Sequence, residues 1–572
     1  MANKPNRGEL KAPWLSSYGS RKQQLEYYDI SMYELLKRKA TNFMNYVAYD
    51  YFGTEVTFRQ FIGDIDHAAQ ALMAFRVKRG DYVTIVSANI PEAVGLIYAI
   101  NKIGAVANIV HPLSSEADIK RALTLTKSKL LFVMDMAHAT AANVLLDTNI
   151  EDVVVLSAKD SMMPLMQLGY VLTQGRKVGR IRKAPRLYSW QEFIENARHL
   201  PEARSAKTRA SDPAVVLYSG GTTGTPKGVL VSNGAFNAHV VQCPEFAPEI
   251  QRGKSVLGIL PIFHGFGLSF GFHVGLCNGV TNIMLPRFDG RNFHKVLQSR
   301  KPNIILGVPT LFEAMLQNKH IAKMDLSFLE LLICGGDTLP NQLKDECDKM
   351  FASCGCMVEV LRGYGLTEYL AGAAFTPKEN PKRGCVGIPI ADVYMKIVKP
   401  GTDNELLAGE IGEIVVCGPS MMTKYLDNEE ETSSTLVKHS DGHTWLHTGD
   451  LGRLDEDGFL FFEQRLKRLI ISSGYNVYPN HIEDVILDLD EVATVAVVGV
   501  PHRYKGEVVE AYVVLRKDAA VSGDTKKKIM EHCRAKLPRY SWPREVKIID
   551  SMPKTKLGKV AYTELGKYAT IS

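Results

Sequence analysis

Nowhere do about 18 apolar residues follow one another, so no helix that spans a bilayer is expected. The opening residues, Met1-Ala2-Asn3-Lys4-Pro5, lack the apolar stretch of a secretory signal, and a cytoplasmic protein is the expectation. Cys354 and Cys356 stand close together, but no second Cys or His pair completes a zinc pattern. The nine cysteines are scattered and odd in number, which favours reduced, buried thiols over a disulfide framework. A Walker A loop is missing too, because it requires Ser or Thr directly after Gly-Lys. Lys227 follows Pro226 and precedes Gly228, and Gly558-Lys559 runs into Val560. An ordinary P-loop nucleotidase is therefore disfavoured. No internal repeat or low-complexity tract stands out.

What is present is a globular composition on a chain too long for one ordinary domain. It has 572 residues, 45% hydrophobic and 23% charged. The net charge of +6 is unevenly placed: from Arg465 onward there are 19 Lys+Arg against 13 Asp+Glu, while the rest balances. A basic C-terminal unit that closes over phosphorylated ligands is one reading of this, and an unevenly charged solvated surface is the other. No aromatic-rich nucleic-acid motif accompanies the charge, so nucleic acid is not an expected partner.

Tyr82 to Val86 reads as a strand, Pro91 to Lys102 as a helix and Ala105 to Val110 as a strand. That βαβ rhythm predicts parallel sheets, and it recurs at Ser255 to Leu260, Ile304 to Val308 and Leu331 to Cys334. Turn-rich segments at Asp441 to Thr444 and Asp455 to Gly458 bracket an alternation that predicts a hairpin around Phe459 to Phe462. A new pattern begins after Lys467: Leu469-Ile470-Ile471, a helix from Pro479 to Leu489, and strands at Val495 to Val500 and Ala511 to Leu515. The expected boundary separates residues 1–464 from a compact α+β unit at 465–572.

The stretch with the most chemistry is Ser219-Gly220-Gly221-Thr222-Thr223-Gly224-Thr225-Pro226-Lys227-Gly228, after the apolar run Ala214 to Leu217. Glycines let backbone N–H groups approach an anion, hydroxyls add donors, and Lys227 adds a fixed charge. Ligands in such folds bind at the carboxyl ends of strands, which is where this loop lies. It is equipped to hold a polyphosphate.

The loop resembles the phosphate-binding signature of the adenylate-forming superfamily of acyl-CoA synthetases, luciferases and adenylation domains. Further motifs of that family follow in order: Pro261-Ile262-Phe263-His264-Gly265-Phe266-Gly267, Gly363-Tyr364-Gly365-Leu366-Thr367-Glu368, and His447-Thr448-Gly449-Asp450. Then come Gln464-Arg465-Leu466-Lys467, Ser473-Gly474-Tyr475, and Pro553 to Lys559. The resemblance covers nearly the whole chain. It implies a large N-terminal domain of stacked mixed β-sheets with flanking helices, and a small mobile C-terminal α+β domain hinged near Lys467.

The resemblance also implies roles for residues. Ser219, Gly220, Gly221, Thr222, Thr223, Gly224, Thr225 and Lys227 would cradle the outer phosphates of ATP. Gly336, Asp337, Gly363, Tyr364 and Gly365 would line adenine, with Tyr364 stacked on it. Thr367 would meet the α-phosphate and Glu368 would ligate Mg²⁺. Asp450 would accept from both ribose hydroxyls, assisted by Arg465. Lys559 would bridge the carboxylate and the α-phosphate, and it stands with Thr223, Glu368 and His264 as catalytic. Gln464 departs from the usual glycine, and Asp337 from the usual Ala or Glu. His264, Gly265, Phe266 and Gly267 would line the acyl site, and Ser473, Gly474 and Tyr475 would meet coenzyme A.

No Asp occupies the aromatic motif to pair with a substrate amine, so an amino acid is disfavoured. Gly265, Gly267, Gly271 and Gly275 either thin the wall of an acyl tunnel or mark close packing. The resemblance points to a medium- to long-chain fatty acid as the carboxylic acid substrate. Ser161 to Leu168 is apolar and runs toward the basic stretch 175–183, so residues 161–183 suit peripheral contact with an anionic membrane; a packed insertion is the alternative. A homodimer also stays open. The competing readings are an acyl-AMP ligase that loads a carrier-protein thiol, an aryl-acid activator, a luciferase-like oxygenase, and an inactive binding protein on the same scaffold.

Overall fold

The computed structural model describes residues 10–173, 184–219, 226–472, 475–502, 504–516, 524–554 and 560–565. Two large mixed sheets with helices around them make up most of the chain. In the first, six strands run parallel in the order Val360–Tyr364, Leu331–Cys334, Ile304–Gly307, Ser255–Gly258, Thr281–Met284 and Val47–Tyr51. Antiparallel strands close its two edges.

The second sheet runs Pro213–Ser219, Val106–Val110, Tyr82–Val86, Leu130–Met134, Asp152–Leu156 and Leu187–Ser189, also parallel. Its antiparallel edge is Lys227–Ser232 and then Lys424–Tyr425. The expected βαβ unit is present, with Tyr82 opposite Val106 and Val86 opposite Val110. Pro91 opens the connecting helix Pro91–Lys102, which is buried along its whole length. A helix buried on every face must be apolar all round, as this one largely is. Reciprocal caps start other helices: Thr57 with Gln60, Ser115 with Asp118, Ser189 with Glu192.

A third sheet carries the expected hairpin, Thr444–Leu454 against Leu460–Arg465, beside Gly412–Cys417 and Tyr394–Val398. Near the start of the described chain, Trp14 is buried against Gly458 at the hairpin turn, and the Tyr18 hydroxyl donates to Pro389 O at 2.7 Å. Of Pro13-Trp14-Leu15, Trp14 therefore serves the core, Leu15 is half-buried and Pro13 is exposed. A fourth sheet is built only from residues after 469: Ile470–Ser472, Tyr475–Val477, Val492–His502, Gly506–Leu515 and Glu545–Ile548. Helices Pro479–Leu487 and Thr525–Lys536 close its apolar core through Ile482, Ile486, Ile529 and Cys533. All nine cysteines are buried and unpaired by disulfides.

Candidate active site

Strand Pro213–Ser219 turns directly back as Lys227–Ser232, with Ser219 opposite Lys227. The Gly/Thr loop thus joins two antiparallel strands, whereas a Walker loop opens a helix. Gly220, Gly221, Thr222, Thr223, Gly224 and Thr225 lie outside the described residues. At the loop's far end the Lys227 ammonium pairs with Glu431 and stands 5.1 Å over the Tyr425 ring. The Tyr425 hydroxyl donates to Glu368 Oε1 at 2.9 Å. The far end of the Gly/Thr loop and the Gly363–Glu368 motif therefore meet through Tyr425, while Glu431 holds Lys227; the sequence offers no local spacing signal for either residue. Strand Lys424–Tyr425 reaches them by pairing with Lys227–Ser232.

Strand Val360–Tyr364 delivers Gly363 and Tyr364, and the chain then folds tightly: a Cβ on Gly365 would overlap Ala371 O at 1.0 Å. Leu370 and Ala371 both take positive φ to complete this turn. The Tyr364 hydroxyl donates to Asp450 Oδ2 at 2.9 Å, and burial holds its phenol well above the usual range. Asp450 is 2% exposed, and Arg465 Nε lies 2.9 Å from its Oδ1. Burial raises the Asp450 carboxyl, and the guanidinium beside it opposes that rise. Oδ1 nevertheless has no hydrogen-bond partner of good geometry, so a buried acceptor is left over for an incoming hydroxyl. That spare acceptor fits a ribose. Glu368 is bonded by a neutral hydroxyl, which leaves its charge for a hard cation such as Mg²⁺.

Gly336 takes φ +79° in the loop after strand Leu331–Cys334, and Asp337 is exposed there with its Oδ1 accepting Thr338 N–H at 2.9 Å. Gly335 stands against Phe266 and the carbonyl of Gly363, so this loop adjoins both the Pro261–Gly267 and the Gly363–Glu368 motifs. Thr367 begins the short 3₁₀ turn Thr367–Tyr369.

In the acyl motif, His264 is half-buried and its Nδ1 accepts Phe266 N–H at 3.2 Å. Residues Phe266–Val274 form a π-helix, a rare form that frequently occurs at functional sites. The glycines divide between the two roles expected of them. A Cβ at Gly267 would meet Pro261 O at 2.1 Å, which is close packing, whereas one at Gly271 would meet nothing within 4 Å. A small apolar cavity of about 20 Å³ lies beside Phe270 and Gly275, lined also by Val256, Ile304, Leu306 and Ile333.

Gln464 is fully buried, and neither its amide oxygen nor its nitrogen has a partner. Lys467 is exposed in the turn Leu466–Arg468 between the third and fourth sheets. Beyond it, Arg468 pairs with Glu483 at 2.7 Å and lies 3.7 Å over the Tyr562 ring. His481 Nε2 reaches Glu463 Oε2 at 2.5 Å, and the Asn480 amide donates to Glu463 O. Burial and then Glu483 raise the Tyr562 phenol, and Arg468 opposes the rise. Lys559 lies outside the described residues, as do Ser473 and Gly474, but Lys554 and Val560 on either side of it bridge each other. Tyr475 is exposed and stacks on Tyr540 at 4.8 Å.

Known proteins match this arrangement. The AMP-binding enzyme family matches residues 36–426, and the AMP-binding enzyme C-terminal domain matches 481–559. A long-chain-fatty-acid–CoA ligase of Haemophilus influenzae is 30% identical, covering 96% of this chain and 96% of its own. One of Bacillus subtilis is 29% identical over 96% of this chain and 97% of its own. Among solved structures, ATP-bound MatB of Rhodopseudomonas palustris is 25% identical with a TM-score of 0.81, covering 94% of this chain and 98% of that one.

Proposed function

Because the chain belongs to the AMP-binding enzyme family, we propose that it activates a medium- to long-chain fatty acid with ATP and passes the acyl group to coenzyme A. The observation that carries this reading is the Asp450 site: a buried carboxylate with a spare acceptor, bonded by Tyr364 and faced by Arg465. The relatives named as long-chain-fatty-acid–CoA ligases support the choice of acid and of thiol.

A carboxylate is a poor electrophile because its charge repels nucleophiles. One of its oxygens forms a bond to the α-phosphorus, the bond to the bridging oxygen breaks, and pyrophosphate leaves. The thiol sulfur then attacks the acyl carbon, its proton departs, and AMP leaves with the former carboxylate oxygen. Both steps depend on positioning and charge stabilisation. Residues 219–225 and Lys227 would hold the outer phosphates, and Thr367 would meet the α-phosphate. Glu368 would hold Mg²⁺, which when bound neutralises phosphate charge. Lys559 would bridge the two reacting groups, and His264 would orient the carboxylate. We place the domain boundary near Arg465, with Lys467 as the hinge that exchanges Lys559 for the coenzyme A face at residues 473–475.

An acid panel with ATP, with and without coenzyme A, tests this, with pyrophosphate and thioester read separately. Thioester from medium- or long-chain acids supports it; pyrophosphate without thioester indicates a carrier-protein thiol, and nucleotide binding without pyrophosphate indicates a binding protein.

Helix Pro164–Thr173 favours peripheral membrane contact as part of the same reading. Leu165, Leu168 and Leu172 share one face and are 81%, 58% and 56% exposed. The sequence that follows carries Arg176, Lys177, Arg180, Arg182 and Lys183. Among the described residues no helix is long and apolar enough to cross a membrane. Sedimentation with vesicles containing phosphatidylglycerol, but not with phosphatidylcholine alone, is expected, and loss of it in Leu165→Ser/Leu168→Ser; equal behaviour on both vesicle types contradicts the contact.

A further inference from the structure

Strand Gly412–Cys417 pairs with Thr444–Leu454, but the ladder slips beside the ribose site. Glu413 stands opposite Leu451, and Val415 stands opposite His447. Two residues advance on one strand while four advance on the other, so Thr448, Gly449 and Asp450 bulge from the ladder with Gly412–Cys417, while Asp450 stays paired with Arg465 on the opposite side. A bulge removes backbone groups from the ladder, and buried ones must find other partners.

Glu413 supplies them. It is 5% exposed, its Oε1 accepts Gly449 N–H at 3.1 Å, and its Oε2 lies 3.0 Å from His447 Nδ1. The next residue of its strand adds a further anchor. Ile414 O accepts the Thr448 hydroxyl at 2.7 Å, and Thr448 Oγ1 accepts Asp450 N–H at 3.1 Å. Gly449 takes φ +66°, a conformation that favours glycine. Each of the three residues before Asp450 is thus fastened to Glu413 or Ile414.

A second histidine sets the proton arrangement. His447 Nε2 lies 2.8 Å from His439 Nε2, so one nitrogen donates and the other accepts. With His447 Nδ1–H donating to the carboxylate, its Nε2 lone pair accepts from His439 Nε2–H. His439 Nδ1 is then a bare acceptor, and it is buried without a partner. Lys396, Asp441 and Asp403 also act on His439, and burial is the main cause of its lowered pKa. The neutral state of both rings satisfies every bond but that one.

We propose that Glu413 is a positioning residue for the nucleotide: its two oxygens span His447 and Gly449 and so fix the bulge that presents Asp450 to the ribose. This rests on Asp450 as the ribose acceptor. It is the reach of the side chain that matters here, more than its charge. Glutamine keeps that reach: its amide oxygen still accepts Gly449 N–H, and its amide nitrogen donates to Nδ1 once both histidines exchange tautomers. Aspartate keeps the charge but is one methylene too short to span both partners.

The test compares kcat/KM for ATP and 2′,3′-dideoxy-ATP in pyrophosphate release by the intact enzyme with a fatty acid. Wild type is expected to prefer ATP strongly, because a site built around a substrate hydroxyl rejects the analogue lacking it. Glu413→Gln is expected to keep that preference, while Glu413→Asp loses it by roughly tenfold, the worth of one misplaced charge-assisted hydrogen bond. The opposite order, or an unchanged preference in both variants, would overturn the proposal, since general loss of structure lowers both substrates together. A wild-type enzyme with no preference would overturn the ribose reading of Asp450 itself.

Discussion

The hydroxyl of Tyr364 lies 2.9 Å from Oδ2 of Asp450, tying the tyrosine proposed to stack on adenine to the carboxylate proposed to hold the ribose. Phenylalanine keeps a ring for stacking but strips a hydrogen bond from a buried carboxylate. Tyr364→Phe should destabilise the protein by about 2 kcal/mol, read by denaturant unfolding. Its KM for ATP should rise several-fold, and that of Tyr364→Leu further, because leucine also loses the ring. Equal KM values for Phe and Leu would remove the stacking role.

Lys227 pairs with Glu431, so an incoming nucleotide competes with that carboxylate for the ammonium. Both side chains are about a third exposed, so the pair is worth little by itself. Glu431→Gln should free the ammonium and tighten ATP binding roughly twofold to fivefold at low ionic strength. Nucleotide titration at low and high salt checks this; the gain should shrink as salt rises.

Glu92 is buried at the start of helix Pro91–Lys102 and accepts the Ser161 hydroxyl at 2.6 Å, while its other oxygen has no partner. Burial pushes its carboxyl up from 4.5 to about 7. A raised carboxyl favours the folded state below its unfolded value, and that advantage is lost as pH rises through the folded value. Stability should therefore fall between pH 4.5 and about 7. Glu92→Gln should be the more stable protein at pH 8, by up to about 3 kcal/mol, and should converge on wild type at pH 4.5. Thermal unfolding across that range reads the difference.

Gln464 buries an amide with neither end bonded. Gln464→Met keeps the volume and removes the unpaired groups, so it should stabilise the protein by about 1–2 kcal/mol in a denaturant titration. A loss of stability would mean that the amide has a partner, such as a buried water.

Much of this architecture was legible in the sequence because its signals are local. Helix Pro91–Lys102 and strands Tyr82–Val86 and Leu331–Cys334 have the expected bounds, since an N1 proline and short, mostly apolar, buried runs mark them. The strand expected at Ala511 to Leu515 begins instead at Gly506, because its ladder with Val492–His502 continues through the polar residues Gly506-Glu507. The π-helix at Phe266–Val274 had no signature, as four glycines in an apolar run fit a tunnel wall and tight packing equally. Glu413, Tyr425 and Glu431 escaped because their partners are distant in the chain: Glu368 is 57 residues from Tyr425, and Lys227 is 204 from Glu431. Only the folded sheets bring them together.

In the proposed reaction a fatty carboxylate attacks the α-phosphorus of ATP. Palmitate carrying oxygen-18 in its carboxylate, incubated with the enzyme, ATP, Mg²⁺ and coenzyme A, tests it directly by mass spectrometry of the nucleotide product. The expected product is AMP that carries a single heavy oxygen, with pyrophosphate unlabelled. ADP with label in inorganic phosphate, or AMP with none, would contradict it.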